Sequence, residues 1–314
     1  MQNDNKKIIM NFLRKYITDD YILLDLPYFM NIGDILIWES SVQLLKEIKQ
    51  KCLYSASQET YHKISISEST IIVLMGGGNF GDLWPSHQLF RRRVLMDYPN
   101  NPIVQLPQSI NYNSKNFLKE DIVLLSTHKG GITLCCRDQQ SFDFASKNFS
   151  KCGIELIPDM VLSLSLDGYK VNNPIKNALF VKRNDLETLP NHFKEVPANA
   201  DIKDWPYINN DPFLIKYYRK YVQRYFSFIE RTIGFRLNSC VLDFLYKKVY
   251  KKKAIELGIS FLSEYSNIYT TRLHVGVLGS LIGRNVYMYD NSYKKISGVF
   301  DLWMQDYKKT QMMH

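Results

Sequence analysis

This 314-residue sequence lacks the features that define several other protein classes. No apolar run reaches the roughly 18–20 residues that cross a bilayer, and the first twenty residues are too charged for the apolar core of a secretion signal. We therefore expect a cytoplasmic protein. The five cysteines form no CxxC pair and no ligand spacing with histidine, and HExxH is missing. We predict reduced thiols and no metal site.

Acidic residues are scarce in one part of the chain. The formal net charge is +9, and residues 216–253 carry the whole excess, because eleven lysines and arginines there face only Glu230 and Asp243. Aromatic residues recur at helical spacing in the same segment: Tyr218, Tyr221, Tyr225 and Phe228. The pattern fits a solvated helix face packed on its own domain or an interfacial helix on anionic lipid. Nucleic-acid binding is a third reading, but no recognition motif accompanies the charge, so we expect no nucleic-acid partner.

Predicted strands alternate with predicted helices along the chain. Short apolar runs predict strands at 21–26, 71–75, 103–106, 132–136, near 156, and at 178–182, 201–205, 267–271 and 286–289. The run at 122–125 is read as a further strand, with a helix as the alternative. Helices are predicted at about 35–51, from about 139, at 254–265 and at 273–282. The alternation predicts an α/β fold with mainly parallel sheets in two Rossmann-like domains. The polar segment 166–176 is the predicted linker, so the domains are 1–170 and 171–314.

The unusual glycine and polar residues stand directly after predicted strands. In parallel α/β sheets, ligands bind beyond the carboxyl ends of the strands, so residues at these positions are expected to share one site. The segments in question are Asn31–Asp34, Gly76–Asp82, Arg137–Asp138, Arg183 and Arg272–His274.

The chemistry of these segments is that of an anion site. The glycines at 76–82 allow backbone N–H groups to approach a ligand, although the segment matches neither GxGxxG nor GxxxxGK[ST]. Arg137 and Arg272 can each contact an anion with two N–H groups. Lys294 and Lys295 follow another predicted strand and either belong to the same site or are solvated loop residues. We expect a small, strongly anionic ligand held without a divalent ion.

Seven motifs occur in an order that resembles one family. The most specific is GGGNFGDLWP at 76–85. The others are NIGDILIW at 31–38, PQSI at 107–110, RDQQS at 137–141, PDM at 158–160, RLH at 272–274 and DNSY at 290–293. In these segments the chain resembles the polysaccharide pyruvyl transferases.

The resemblance implies two Rossmann-like domains facing a central cleft, as in GT-B glycosyltransferases, with the acceptor on the N-terminal side. It implies phosphoenolpyruvate as the donor and no further cofactor. The implied reaction moves the pyruvyl group onto two hydroxyls of a sugar in a surface-polysaccharide precursor, forming a cyclic ketal and releasing phosphate. The implied acceptor is carried on a lipid pyrophosphate, which would give segment 216–253 a role in peripheral contact with the inner face of an anionic membrane.

The resemblance also implies roles for individual residues. His274 would move protons, while Arg137 and Arg272 would bind the donor and stabilise the departing phosphate. The residues implied to bind substrate are Asn31, Gly33, Asp34, Gly77, Gly78, Asn79, Asp82, Arg183, Leu273, Lys294 and Lys295.

The chain departs from the family pattern at three positions. Thr271 replaces an acidic residue, Gly276 replaces a second histidine, and Lys294 replaces a glycine. These changes leave the acceptor sugar unspecified. Two other functions stay open at this point: a GT-B-type glycosyltransferase that uses a nucleotide sugar, and a non-catalytic partner that binds lipid or polymer.

Overall fold

Two parallel sheets organise the chain. The computed structural model describes residues 2–29, 31–182, 196–206, 217, 221, 237–290 and 295–313. Within these residues every strand pairing is parallel. The fold is α/β, with two Rossmann-like units that face a central cleft in a GT-B-like arrangement, as the sequence predicts.

The first sheet has the strand order β2-β1-β3-β5-β6-β7, with β4 paired to β5. Its strands are β1 (Tyr21–Leu24), β2 (Cys52–Ala56), β3 (Ile71–Leu74), β4 (Gly77–Gly81), β5 (Ile103–Asn111), β6 (Ile132–Cys136) and β7 (Gly153–Leu156). The helices of this half are α1 (Gln2–Tyr16), α2 (Ile32–Leu45), α3 (Pro85–Asp97), α4 (Lys115–Thr127) and α5 (Gln139–Asn148). A 3₁₀ turn follows at Met160–Ser163.

The second sheet has the order β12-β11-β10-β8-β9. Its described strands are β8 (Lys176–Val181), β9 (Asp201–Lys203), β10 (Tyr265–Thr270), β11 (Asn285–Tyr289) and β12 (Thr310–Met313). The described helices are α6 (Leu237–Phe244), α7 (Lys251–Ser263), α8 (Leu273–Leu281) and α9 (Lys295–Trp303), with a π-helical stretch at Leu245–Tyr250.

The central strands are apolar because both faces of each sheet are covered. All four residues of β1 and of β3 are buried, which explains why these strands are continuous apolar runs without polar alternation. The same pattern predicts β6 with its observed bounds, Ile132–Cys136.

The two halves share one hydrophobic core. Its buried side chains include Val73 from the first sheet and Ile268 from the second. Helix α2 packs against α7, where a Cβ at Gly258 would lie 3.0 Å from Ile32 Cγ2. At the start of the chain, Asn5 Nδ2 donates to the carbonyl of Trp303 at 3.2 Å. The predicted boundary at 170/171 falls between the two sheets and stays a prediction.

Two kinds of element differ from the predictions. The predicted strand at 122–125 is wrong, because these residues belong to helix α4, whose N-cap Ser114 accepts a hydrogen bond from Phe117 N. A four-residue apolar run does not distinguish a strand from a helix. The glycine segment at 76–82 contains the short strand β4, which the sequence pattern did not predict. The pattern also did not predict α1, α3, α9, β2 and β12.

The basic segment is described only at 217, 221 and 237–253, so most of its predicted aromatic stripe lies outside the described residues. Lysines in the described part pair with carboxylates. Lys247 Nζ lies 2.8 Å from Asp243, and Lys251 Nζ lies 2.5 Å from Glu39. In the described part of the chain, no helix combines the length and the apolar character that spanning a membrane requires.

Candidate active site

A cleft of about 670 Å³ opens between the two sheets at the carboxyl ends of their strands. Nine of the predicted site residues line it: Asn31, Gly33, Asp34, Gly78, Asn79, Arg137, Arg272, Leu273 and His274. They come from both halves of the chain and from four separate motifs. The structure therefore brings together residues that are up to 243 positions apart in sequence, from Asn31 to His274.

Helix α2 begins at the cleft. Asn31 caps it by accepting a hydrogen bond from Gly33 N at 2.9 Å. Gly33 lies against the imidazole of His274, since a Cβ at position 33 would come within 2.5 Å of Nδ1. A glycine at this position lets the helix N-terminus, with its positive potential, approach the histidine of the other half.

A buried ion-paired cluster joins the halves. Asp159 Oδ2 lies 2.5 Å from Arg137 Nη1 and 3.4 Å from His274 Nε2. The Nη1 and Nε2 atoms are themselves 3.5 Å apart. Arg137 Nε also donates to Ser109 Oγ at 2.9 Å. The arginine and the carboxylate are almost fully buried, whereas His274 keeps 16% of its side chain exposed.

The charge of Asp159 is fixed by this arrangement. Burial by itself raises the pKa of the carboxyl, but the Arg137 charge and the contact with His274 outweigh burial and hold the pKa well below its usual range. Asp159 is therefore ionised at neutral pH and presents a negative charge to Arg137 and to His274.

Asp34 behaves in the opposite way. Burial raises the pKa of its carboxyl, although His274, His87 and Arg137 oppose the shift. Asp34 and His274 both line the cleft.

Arg272 stands at the N-cap position of α8 and forms a two-pronged ion pair. Its Nε and Nη2 donate to the two carboxylate oxygens of Asp204 at 2.8 and 3.0 Å. Arg272 lines the cleft, and Asp204 does not. Sequence reasoning missed Asp204, which lies just after β9.

The glycine segment contacts the cluster from the other side. A Cβ at Gly78 would lie 3.0 Å from Arg137 Nη2, so the glycine lets the guanidinium lie against the backbone. Asn79 is held by Gln108, whose Nε2 donates to Asn79 Oδ1 at 3.1 Å. The side chain of Arg91 also donates to Asn79.

A second histidine in the cleft was not predicted. His87 Nδ1 lies 3.0 Å from Asp25 Oδ1 and 2.6 Å from Gln58 Nε2. Asp25 also accepts from the buried Arg91 at 3.1 Å. Asp25 has a φ of +66°, which is rare for a residue other than glycine and often marks a functional site. Backbone strain leaves no mark in the sequence. The position of His87, directly after GGGNFGDLWPS, was the available signal.

Other predicted residues are placed elsewhere. Gly77 and Asp82 are not among the lining residues. Asp82 accepts hydrogen bonds from Asn113 N and Ser114 N, so its carboxylate organises the loop after β5. Arg183 and Lys294 lie outside the described residues, as does the side chain of Lys295. Among the side chains that are described, no group of three or more His, Cys, Asp or Glu residues is arranged to hold a metal ion.

A family comparison covers most of this site. The sequence model of the polysaccharide pyruvyl transferases matches residues 31–293, a range that includes the Arg137–Asp159–His274 cluster and Arg272. The chain belongs to the polysaccharide pyruvyl transferase family. The resemblance seen in the seven motifs is confirmed, and the chain is a member of a transferase family.

Two relatives and one solved structure match this chain over most of its length. EpsO of Bacillus subtilis, a candidate pyruvyl transferase, is 29% identical over 298 residues, which cover 94% of this chain and 88% of EpsO. Pyruvyl transferase 1 of Schizosaccharomyces pombe is 27% identical over 308 residues, covering 90% of this chain and 69% of that protein. The crystal structure of an uncharacterised Klebsiella pneumoniae protein has a TM-score of 0.64 at 19% identity, covers 98% of both chains, and shows the fold alone.

The motifs that the chain shares with the family converge on the cleft. RDQQS contributes Arg137, PDM contributes Asp159, and RLH contributes His274, so three separate motifs build one ion-paired cluster. The cluster combines a fixed guanidinium with an imidazole that reaches the cleft. That combination can bind an anion and transfer a proton at the same place.

Proposed function

We propose that this pyruvyl transferase uses phosphoenolpyruvate as its donor. It transfers the pyruvyl group to two hydroxyls of one sugar in a polysaccharide precursor, forming a cyclic ketal and releasing phosphate. One observation carries the proposal. Arg137 and His274 come from different halves of the chain, yet Nη1 of the arginine and Nε2 of the histidine lie 3.5 Å apart, and both side chains pair with the carboxylate of Asp159.

The donor carries a carboxylate and a phosphate, and the cleft has matching cationic groups. Arg137 and Arg272 both line it, and each guanidinium can form parallel hydrogen bonds to an oxyanion. The N-termini of α2 and α8 begin at the same cleft and add positive potential from their backbone N–H groups. In our proposal the phosphate and the carboxylate are held by these groups without a metal ion.

The proposed chemistry has two additions to the same carbon. His274 donates a proton to the methylene of the donor while one sugar hydroxyl attacks the enol carbon and loses its proton to a base. The C–O bond to phosphate then breaks, and the electron pair leaves with the phosphate, which Arg137 and Arg272 stabilise. The second hydroxyl then attacks the same carbon and loses its proton. Over the whole reaction, one of the two hydroxyl protons is balanced by the proton gained by the methyl group, and the other by the proton gained by the released phosphate.

Asp34 is the proposed base for an acceptor hydroxyl. Its carboxylate lines the same cleft as His274 and His87, and both histidines act on its pKa. The raised pKa makes it basic enough to accept a hydroxyl proton as the oxygen attacks.

The acceptor is proposed to bind the part of the cleft that the N-terminal half lines. Phe29 and Trp84 offer aromatic faces from that half, and Gln58 and His87 offer hydrogen-bonding groups. Aromatic faces with a few polar groups are typical of a small-molecule site. We keep a lipid-linked sugar as the proposed acceptor, with transfer at the inner face of the membrane.

The test is incubation of the purified chain with phosphoenolpyruvate and lipid-linked sugars, followed by mass spectrometry and a phosphate assay. Pyruvyl transfer increases the acceptor mass by pyruvic acid less one water, with one phosphate released per product. A glycosyl transfer from a nucleotide sugar would instead add a hexose less one water.

The matched control is His274→Ala. We expect turnover to fall by about 10²–10⁴, the usual contribution of a general acid or base. The variant is expected to stay folded, because Arg137 remains paired with Asp159 at 2.5 Å. Near-native turnover in this variant would remove His274 from the proposed mechanism.

A further inference from the structure

We propose that Asp204 is a positioning residue that presents the guanidinium of Arg272 to the anionic donor. The inference rests on the proposed function, because it takes the role of Arg272 in donor binding as its starting point. Neither the sequence motifs nor the family match singles out this carboxylate.

Asp204 holds Arg272 with both of its oxygens. Arg272 Nε lies 2.8 Å from Oδ1, and Nη2 lies 3.0 Å from Oδ2. The two side chains are only 14% and 15% exposed. Two parallel charge-assisted hydrogen bonds fix the plane of a guanidinium as well as its position.

The carboxylate is itself anchored to the protein core. Trp205 N donates to Asp204 Oδ1 at 2.6 Å. The indole of Trp205 is buried and meets the ring of Phe261 on α7 edge to face, with 6.2 Å between centroids. The strand before it, β9, is paired with β8 in the second sheet. Asp204 therefore cannot follow Arg272 if the arginine swings away.

The backbone position of Arg272 does not by itself orient the side chain. It occupies the N-cap of α8 with extended backbone angles, φ −118° and ψ 121°, and its side chain makes no capping bond. Its backbone N donates to Thr270 Oγ1 at 2.9 Å, which fixes the Cα position only.

The placement of the two residues indicates that Asp204 orients the guanidinium of Arg272 and does not compete with the donor anion for it. Arg272 is among the residues that line the cleft and Asp204 is not, so the guanidinium is the group of this pair that a ligand in the cleft meets. A guanidinium has five N–H donors, and Asp204 engages the Nε and one Nη2 donor. The part of the guanidinium that lines the cleft is the one we assign to the donor anion.

The physical effect is preorganisation. A long side chain that is already fixed loses less entropy when a ligand binds. Without the Asp204 carboxylate, phosphoenolpyruvate would have to order Arg272 as it binds, so the dissociation constant would rise. If Asp204 instead competed with the donor for the guanidinium, its removal would lower the dissociation constant.

The test measures binding of phosphoenolpyruvate alone to the purified full chain by calorimetry. For Asp204→Asn we expect the dissociation constant to rise about three- to tenfold, the range that corresponds to ordering one long side chain. In an Arg272→Lys background the same change is expected to matter less than twofold, because a lysine has no planar fork to hold. Asp204→Glu is expected to recover part of the affinity.

Asp201→Asn is the matched control. It removes a carboxylate charge from β9, three residues before Asp204, but Asp201 is half exposed and faces Lys203 and Tyr265. We expect its affinity for phosphoenolpyruvate to stay within twofold of the wild type.

Each outcome separates the hypotheses. An unchanged or tighter dissociation constant in Asp204→Asn overturns the inference and leaves the proposed function standing. An equal loss of affinity in the Arg272→Lys background shows that Asp204 acts through the fold, which also overturns it. If Asp204→Asn does not fold, Asp204→Glu is compared with the wild type in both backgrounds by the same criteria. A wild-type chain that binds no phosphoenolpyruvate removes the proposed function and this inference together.

Discussion

Adding one methyl group to Gly33 tests how closely the two halves must fit at the cleft. A Cβ at this position would lie 2.5 Å from Nδ1 of His274, 3.0 Å from its Cγ and 3.1 Å from its Cβ. Ordinary contacts begin at about 3.4 Å, so the imidazole would have to retreat by about 1 Å. A displacement of that size costs about 10²-fold in rate when the displaced group takes part in catalysis.

The ring is not free to make this movement cheaply. Its Nε2 lies 3.4 Å from Asp159 and 3.5 Å from Arg137, and both partners are buried. We therefore expect kcat in Gly33→Ala to fall about 10²-fold. Folding is expected to survive, because alanine is favoured over glycine within a helix by about 1 kcal/mol.

The assay is phosphate release with phosphoenolpyruvate and the lipid-linked acceptor, alongside the thermal unfolding midpoint. Gly258→Ala is the control, since it adds a methyl group to a helical glycine between the halves that faces Ile32 and not the histidine. We expect its kcat to stay within about threefold of the wild type. If Gly33→Ala also keeps a near-native kcat, the close approach of α2 to His274 has no catalytic importance.

Two other perturbations test the charges. Because the pKa of Asp159 is lowered by folding, its charge adds stability above its unfolded pKa of about 3.9, and that contribution is lost as pH falls through the folded value. Asp159→Asn is expected to cost about 3–5 kcal/mol at pH 7, because it leaves the Arg137 charge buried and unpaired. It is also expected to flatten the decline of the unfolding midpoint in acid, and an acid profile identical to the wild type would contradict this. Replacing the lysines at 251–253 with glutamine is expected to weaken binding to anionic vesicles by at most about 1 kcal/mol per lysine. Lys251 is expected to contribute less than the other two lysines, because its charge is paired with Glu39. Vesicle binding that changes neither with salt nor with the substitution would exclude a membrane role for these lysines.

The sequence predicted the parts of the site that follow buried strands. Strand β6 is an uninterrupted apolar run, so Arg137 directly after it had to lie at the carboxyl edge of a parallel sheet. The same reasoning placed His274 after β10, and both residues line the cleft. This worked because the apolar pattern of a strand covered on both faces is local in sequence.

Partners that come from distant segments could not be read in the same way. Asp204 is one carboxylate in a polar stretch after an edge strand, and nothing local marks it as the partner of Arg272. The role of Asp25 could not be predicted either, because its φ of +66° and its contacts with His87 and Arg91 exist only in the folded chain.

The amino-acid sequence by itself determined the alternation of strands and helices, the parallel sheets and the family, because these depend on residue patterns within short segments. Tertiary structure decided which charges meet. Asp159 lies 22 residues from Arg137 and 115 from His274, yet its carboxylate contacts both. Packing of α2 against α7 brings the two sheets together at that point. The pairing of charges depends on this distance between the halves, which no single segment encodes.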